Sequence, residues 1–517
     1  MSLSIVYSRA GGLDAPLVTV EVLLTNGLPS LGIVGLPETA VKESKDRVRG
    51  AIINSRFDFP VRRITINLAP ADLPKEGGRF DLAIALGILL SSKQVELSKT
   101  NKDNDSEQSA PIEHAPIERF EFVGELALSG ELRGVKGILP IAVQAKKNNR
   151  ILIVPEENGI EASLIKGLTV YTAKHLLDVC AFLKGEQKLA QPELKSTEEQ
   201  EFYATCLSDI RGQQNAKRAL EIAAAGQHSL LMKGPPGTGK TMLASRLVTI
   251  LPNMSDAEAE EVAAIRSVCG EDVNFSNWAV RGFRVPHHTA SGVALVGGGS
   301  YPKPGEISLA HHGVLFMDEL PEFSQKVLEV LREPLESGRI AISRAAKKAE
   351  FPASFQLIAA MNPCPCGYWG DVHNNCRCTS EQVQRYQNKL SGPFLDRIDM
   401  HIDVPAVSHQ DLQENSDLIE QSSVVKKRVI TAQNRQRTRR GHCNAHLTNK
   451  EIEQDCRLSS DNQNVLEKTM NKMKLSARAY HRILKLARTI ADLDNSDTIE
   501  LHHLTESIGY RKIDHFQ

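Results

Sequence analysis

The pattern of apolar and polar positions divides the chain into three stretches. In the first, Arg63-Ile-Thr-Ile-Asn-Leu68 alternates with period two and predicts a half-buried strand. Phe80 to Leu90 is a compact run rich in Ala and Leu, which predicts a buried helix. Arg150-Ile-Leu-Ile-Val-Pro155 predicts a second strand that stops at a proline. The middle stretch, to about residue 407, reads as repeated strand–helix units. The tail is helical: Ser476 can cap a helix whose Tyr480, Ile483, Leu484, Ala487, Ile490 and Ala491 share one face. Asp497 with Glu500 three residues on resembles a capping box for the last helix. Two polar stretches without periodicity interrupt the pattern. Residues 99–116 predict a solvated loop and residues 187–205 a linker.

Length and composition then bound the class. A chain of 517 residues exceeds one ordinary core and predicts about three domains. With 62 Lys+Arg against 63 Asp+Glu it is not a globally basic nucleic-acid coat protein, although local basic surfaces remain open. The longest apolar runs, such as 81–90, are far shorter than the ~20 residues that span a bilayer. No secretion signal opens the chain, and nine cysteines form no even disulfide framework, so a cytoplasmic protein is expected.

The middle stretch carries the chemistry. Gly234-Pro235-Pro236-Gly237-Thr238-Gly239-Lys240-Thr241 fits G-x-x-x-x-G-K-[ST] at every fixed position, between a predicted strand (229–233) and a predicted helix. Its backbone N–H groups can cradle phosphates, Lys240 can reach the β- and γ-phosphates, and the Thr241 hydroxyl can ligate Mg²⁺. Val314-Leu-Phe-Met-Asp318-Glu319 is an apolar strand ending in two carboxylates. Asp318 suits a Mg²⁺ contact and Glu319 suits polarising an attacking water. Phe355 to Asn362 is a third strand ending in an amide that can orient the same water. Together these predict hydrolysis of a nucleoside triphosphate.

Four cysteines fall within fifteen residues, at Cys364, Cys366, Cys376 and Cys378, with His373 as a spare nitrogen ligand. Four thiolates can complete a tetrahedral structural zinc site, although C-x-C pairs are tighter than the usual C-x₂-C. Basic residues gather in two places. Arg339, Arg344, Lys347 and Lys348 lie in a strand–turn–strand pattern that can touch a phosphate backbone or can be a solvated hairpin. Lys426 to Arg440 carries seven basic residues in fifteen with no acid, and such a run is more often a solvated helix face than a binding site. No aromatic residue interleaves with that run, which favours backbone contact over base stacking if nucleic acid binds there.

From about residue 206 the chain resembles an AAA+ ATPase of the magnesium-chelatase-like group. The resemblance rests on Phe283-Arg-Val-Pro-His-His-Thr289, Ala294 to Gly299, Pro304 to His311 and Asp318-Glu-Leu-Pro-Glu322. With the N-terminal stretch included, nearly the whole chain resembles the YifB/ComM family. The resemblance implies an α/β fold in four parts. These are an S5/Lon-like α/β domain over 1–186, a linker over 187–205, an AAA+ core with helix-2 insert and presensor-1 hairpin over 206–408, and a helical lid over 409–517. It implies a homohexameric ATP-driven DNA motor, a helicase that promotes branch migration during natural transformation. ATP and Mg²⁺ are its expected cofactors, DNA and recombination proteins its expected partners, and no membrane is involved. By position, Asn362 matches sensor 1, Arg397 in Leu395-Asp-Arg-Ile-Asp399 matches a trans-acting arginine finger, and Arg478 matches sensor 2. The 339–348 hairpin matches one that points into a ring's central pore, with Lys347 and Lys348 at its tip and Lys303 of the helix-2 insert nearby.

Gly134-Val-Lys136-Gly137 and Ile151 to Asn158 resemble segments of the Lon proteolytic domain. A Ser–Lys dyad would be needed there, because a bare hydroxyl is a weak nucleophile without a base. Arg79 stands where the serine would be expected, and no serine lies between Ser55 and Ser91. A non-proteolytic domain is therefore expected, with Lys136 lacking a catalytic partner. A metal-chelatase-type remodelling subunit and a Lon-like ATP-dependent protease are the alternative readings.

Overall fold

The computed structural model describes residues 2–73, 75–97, 115–193, 205–273, 275–298, 302–343, 348–371, 375–407, 420–473 and 475–511. The solvated loop expected over 99–116 lies almost wholly outside these residues, as do the centre of the 187–205 linker and the 408/409 boundary. The chain forms two compact units, residues 1–200 with 256–278, and residues 201–255 with 279–517.

Among the described residues the first unit holds a four-stranded sheet, a three-stranded sheet and a two-stranded hairpin. Strands β1 (Ser2–Arg9), β2 (Leu17–Thr25), β3 (Ser30–Val34) and β4 (Arg63–Ala69) pair in the order β1-β2-β4-β3, with only β3 and β4 parallel. Along β4 the residues alternate between buried and more exposed, as its period-two pattern requires. The helix Asp81–Ser91 is buried along nearly its whole length. Strands β5 (Phe120–Phe122), β8 (Ile151–Pro155) and β9 (Val170–Ala173) form a parallel sheet, while β6 (Glu125–Leu126) and β7 (Leu132–Arg133) form a short hairpin. Between the sheets, Arg9 donates two hydrogen bonds to the buried Glu121 carboxylate, at 2.6 and 2.7 Å. Burial pushes the Glu121 carboxyl up, and Arg9 and Arg150 pull it back.

One helix of the middle stretch packs with the N-terminal residues. Asp256–Cys269 follows the phosphate-loop helix in sequence but packs in the first unit. Its Ala263, with Val273, shares a core with Ile138, Leu139, Ile141, Ala142 and Ala145. Lys146 pairs with Glu260 at 2.9 Å, and Ser267 donates to Glu161 at 2.6 Å. Ala263, on the buried side of this helix, is the residue it places in that shared core.

In the second unit, β10 (Leu230–Lys233), β11 (Phe283–Arg284), β14 (Val314–Met317), β17 (Gln356–Met361) and β18 (Met400–Asp403) form one sheet in the order β11-β14-β17-β10-β18. Every neighbouring pair is parallel. Strands β10, β14 and β17 are almost wholly buried, as near-continuous apolar runs require in a sheet covered on both faces. Two hairpins leave this core: β12 (Gly297–Gly298) with β13 (Lys303–Pro304), and β15 (Arg339–Ser343) with β16 (Lys348–Pro352). Helices Gln214–Gly226, Lys240–Ile250, Ser422–Arg440 and Ala477–Leu493 contribute to the same core.

The tail is helical as its pattern predicts. Ser476 caps Ala477–Leu493 by accepting from the Ala479 N–H at 3.2 Å. The last helix differs in its cap. It starts at Leu501 with Glu500 as N-cap, and the Glu500 N–H donates to His503 Nδ1 at 3.0 Å. Asp497 is spent elsewhere, on Arg435 at 2.6 Å.

Candidate functional site

In a parallel sheet the loops at the carboxyl ends of the strands form a common edge. The loops after β10, β14 and β17 therefore bring the phosphate loop, the acidic pair and Asn362 together. The Lys240 ammonium is held by the carbonyls of Gly234 (2.8 Å) and Pro235 (2.7 Å) and by Asn362 Oδ1 at 3.3 Å. Burial lowers the Lys240 pKa, and Asp318 opposes that shift. Thr241 donates its hydroxyl to Asp318 Oδ2 at 2.7 Å, which sets two hard oxygen donors side by side, as Mg²⁺ prefers. The Glu319 N–H donates to Asp318 Oδ1 at 2.9 Å, fixing the acidic pair relative to each other.

Close packing shapes the loop. Gly237 and Gly239 both have φ of 79°, which places them in the left-handed region that suits glycine. A Cβ on Gly234 would lie 2.2 Å from the Val404 carbonyl oxygen. Glu319 itself has φ of 51°, an unusual conformation for a non-glycine residue that costs about 1–3 kcal/mol and aims its side chain. His288 reaches it, with Nδ1 3.4 Å from Glu319 Oε2. Gln213, also left-handed, donates to the Thr238 carbonyl at 2.8 Å and so braces the loop.

The two candidate arginines converge on another acid, Glu336. Arg397 is buried and pairs with Glu336 at 2.7 Å, while its Nη1 donates to the Pro393 carbonyl at 2.6 Å. Arg478, more exposed, reaches the same Glu336 oxygen at 3.7 Å. The neighbouring Asp396 and Asp399, the partners that proximity in sequence suggests, are not the ones that hold Arg397. Asp399 instead accepts from the Ser229 N–H and hydroxyl, both at 2.9 Å, and from Arg482 of the lid helix. Burial raises the Asp399 carboxyl, but Arg482, His228 and the Ser229 N–H together hold it well below the usual range.

The cysteine cluster forms as expected. Cys364 Sγ lies 3.4 Å from Cys366 and 3.7 Å from Cys376, and Cys366 lies 3.5 Å from Cys376. Cys378 lies within 4.8 Å of all three. A tetrahedral zinc with bonds of ~2.3 Å would space its sulfurs by about 3.8 Å, whereas a disulfide needs ~2.05 Å. These separations fit a zinc tetrahedron and not a disulfide. The cluster begins two residues after Asn362, and Gly367 packs so closely that a Cβ would lie 2.6 Å from Pro236. His373 lies outside the described residues.

The basic surfaces are partly neutralised. Arg339 pairs across the β15–β16 hairpin with Glu350 at 2.9 Å. Arg344 and Lys347 lie outside the described residues, and only the backbone of Lys348 is described, as the first residue of β16. Lys303 is exposed on β13. In the helix Ser422–Arg440, Arg428 pairs with Glu221 and Glu420, Arg435 with Asp497, Arg439 with Asp492 and Arg440 with Asp455. The acid-free run is thus tied to its own core and lid, the structural alternative to a nucleic-acid surface.

In the first unit Arg79 packs against Gly11, and burial lowers its pKa while Glu76 opposes the shift. Lys136 lies along Gly270.

The fold and the phosphate-loop edge define a magnesium-chelatase-like AAA+ ATPase. The family description "Magnesium chelatase, subunit ChlI" matches residues 206–412, its C-terminal counterpart matches 419–511, and "Subunit ChlI of Mg-chelatase" matches 20–158. Over 516 residues the chain is 54% identical to competence protein ComM of Haemophilus influenzae, covering 99% of this chain and 98% of that one. It is 51% and 50% identical to the YifB proteins of Salmonella typhimurium and Escherichia coli, again over 99% of this chain and 98% of theirs. The chain belongs to the YifB/ComM family.

Among these residues, sequence reasoning did not find Glu336, Gln213, His288 or Gly367. Only His288 carried a signal, since it lies in the Phe283–Thr289 segment that marks the group.

Proposed function

We propose that the protein is an ATP-hydrolysing homohexameric DNA motor that promotes branch migration during the recombination of transforming DNA. The observation that carries the reading is the division of the catalytic set. Lys240, Thr241, Asp318 and Asn362 share one edge of the sheet, whereas Arg397 and Arg478 converge on Glu336. That division supports a site completed by the arginines of a neighbouring copy. The likeness to a competence protein along the whole chain supports DNA as the substrate.

In this reading Lys240 and the loop N–H groups grip the triphosphate, while Thr241 and Asp318 hold Mg²⁺. An ion held by Thr241 and Asp318 would supply neutralisation of phosphate charge. Glu319 accepts a proton from the attacking water, and Asn362 orients that water. Arg397 and Arg478 of the next subunit meet the charge that develops on the γ-phosphate. The hairpin with Arg339, Arg344, Lys347 and Lys348 follows the DNA backbone, with Lys303 beside it, and Cys364, Cys366, Cys376 and Cys378 hold a structural zinc. The first unit is a non-proteolytic Lon-like module, consistent with Arg79 at the serine position. The reduced thiols that zinc needs suit the cytosol.

Mixing subunits tests the division. Arg397→Ala and Lys240→Ala proteins are each expected to be inactive, and their mixture should regain turnover where an intact Lys240 meets an intact Arg397. A mixture as inactive as its parts contradicts a shared site. A second reading, ATP-driven remodelling of a partner for porphyrin metallation, is favoured by the three chelatase family matches, and a DNA-junction assay separates the two.

A further inference from the structure

Both candidate arginines converge on a single acid, Glu336. Its Oε1 lies 2.7 Å from Arg397 and 3.7 Å from Arg478. The surroundings are rich in positive charge: burial lowers the Arg397 pKa first, Glu336 opposes that, and Arg332, Arg478 and Arg482 lower it further. Arg397 Nε is buried, and none of the described residues accepts a hydrogen bond from it. A guanidinium in that state, sharing its acid with Arg478, is a site for an anion with more oxygens than one carboxylate supplies, while Arg332 and Arg482 are held by Glu329 and Asp399. Glu336 is half-exposed, so a competing anion can approach it from solvent.

The position of Glu336 in the chain gives this contact a second end. It lies on the helix Arg332–Ser337, and only Ser337 and Gly338 separate it from β15, the first strand of the basic hairpin. The connection is stiff. The Ser337 hydroxyl donates to the Arg339 carbonyl at 3.0 Å and accepts from the Arg339 N–H at 3.2 Å, and the Gly338 N–H donates to the Pro334 carbonyl at 2.9 Å. Earlier in the same segment, Glu329 accepts from Ser391 at 3.0 Å, and Ser391 is the N-cap of the helix that leads to Arg397. The segment before the hairpin and the segment carrying Arg397 are therefore clasped at two points, Glu329–Ser391 and Glu336–Arg397.

We infer that Glu336 stands in for the neighbouring γ-phosphate, holding Arg397 and Arg478 together until displacement of the hairpin by DNA withdraws it. The inference rests on the proposed trans role of Arg397. While Glu336 occupies the arginines, a phosphate must compete with it, and turnover without DNA is slow. When DNA moves the hairpin, the helix end that carries Glu336 moves with it, and the arginines are left to the nucleotide. Glu336 is a positioning residue in this scheme, acting through Arg397 and touching no reacting atom.

The test compares Glu336→Gln, Glu336→Asp and Glu333→Gln on the full chain, with ATP turnover measured with and without duplex DNA. Glu336→Gln keeps the shape and removes the charge. It should raise the DNA-free rate by roughly three-fold or more and lower KM for ATP, so that the ratio of DNA-stimulated to basal rate falls toward one. Glu336→Asp retains the charge and should retain DNA stimulation. Glu333, an exposed residue on the same helix, controls for surface charge, and its variant should match the parent. A parental basal rate and parental stimulation in Glu336→Gln, or a fall in its basal rate with an unchanged melting temperature, overturns the inference. Arg397→Ala separates this from the underlying reading: unimpaired turnover in that variant overturns the trans arginine itself, whereas a dead Arg397→Ala with a parental Glu336→Gln overturns only the role of Glu336.

Discussion

Thr241 donates a 2.7 Å hydrogen bond to Asp318 across 77 residues of sequence, joining the end of one buried strand to the start of the phosphate-loop helix. The contact places a hydroxyl and a carboxylate where one cation can take both. It also separates binding from chemistry within the site, because Glu319, the next residue, takes no part in it.

Lys240→Ala should therefore abolish turnover, since the ammonium held by Gly234, Pro235 and Asn362 is the group aimed at the phosphates. A loss on the order of 10²-fold or more is expected, measured as phosphate release at saturating ATP. Turnover within a few fold of the parent would show that the nucleotide lies elsewhere.

Glu319→Gln should behave differently. The amide keeps the size of the side chain and cannot accept the proton of water, so ATP affinity should persist while the rate falls by about 10²–10⁴-fold. Equilibrium binding of a fluorescent ATP analogue, set beside the hydrolysis rate, reads the two quantities separately. Equal losses in both would assign Glu319 to binding.

Asp399→Asn should destabilise the second unit. Removing the charge leaves Arg482 without its buried partner and weakens the bonds from Ser229, and breaking such a pair costs about 3–5 kcal/mol. The sign of the pH dependence follows from the depressed folded-state pKa. The contribution is complete above the unfolded value of about 3.9 and is lost only as pH falls through the lower folded value. Denaturant melts should show the parent–variant difference constant from pH 5 to pH 8, and a difference that fades on acidification within that window would contradict the assignment.

These contacts also show how far the chain can be read without coordinates. The phosphate loop, the acidic pair and Asn362 are legible because each is a short local pattern after an apolar strand, and a parallel sheet brings strand ends together automatically. The Ser476 cap is legible for the same local reason. Glu336 is not, because its partnership with Arg397 spans 61 residues and no spacing rule links a helix acid to a distant loop arginine. The helix Asp256–Cys269 joins a core that its place in the chain does not suggest, because an amphipathic stripe says that a partner exists, not which one. The run 426–440 looks acid-free only along the sequence. Its acids, Glu221, Asp455, Asp492 and Asp497, come from other segments.

Zinc at the cysteine cluster is checked by elemental analysis and by thiol titration. One zinc per chain is expected, with Cys364, Cys366, Cys376 and Cys378 slow to react until a chelator is added. Because Gly367 packs on Pro236, stripping the metal should lower the melting temperature by at least roughly 5 °C and weaken ATP binding. Metal-free protein with four fast-reacting thiols and an unchanged melt would contradict a structural zinc.

The hairpin prediction concerns salt. Lys347→Ala with Lys348→Ala should weaken DNA binding uniformly across sequences. It should also reduce the slope of log affinity against log salt by about one for each phosphate that the hairpin no longer neutralises. An unchanged slope would place DNA binding on another surface.

The central claim is that ATP hydrolysis moves DNA strands, and a synthetic three- or four-way DNA junction tests it most directly. With protein, Mg²⁺ and ATP, labelled strands should exchange partners, and exchange should stop in the Lys240→Ala protein. Vigorous ATP turnover with the junction left unmoved would contradict the claim and favour a remodelling ATPase.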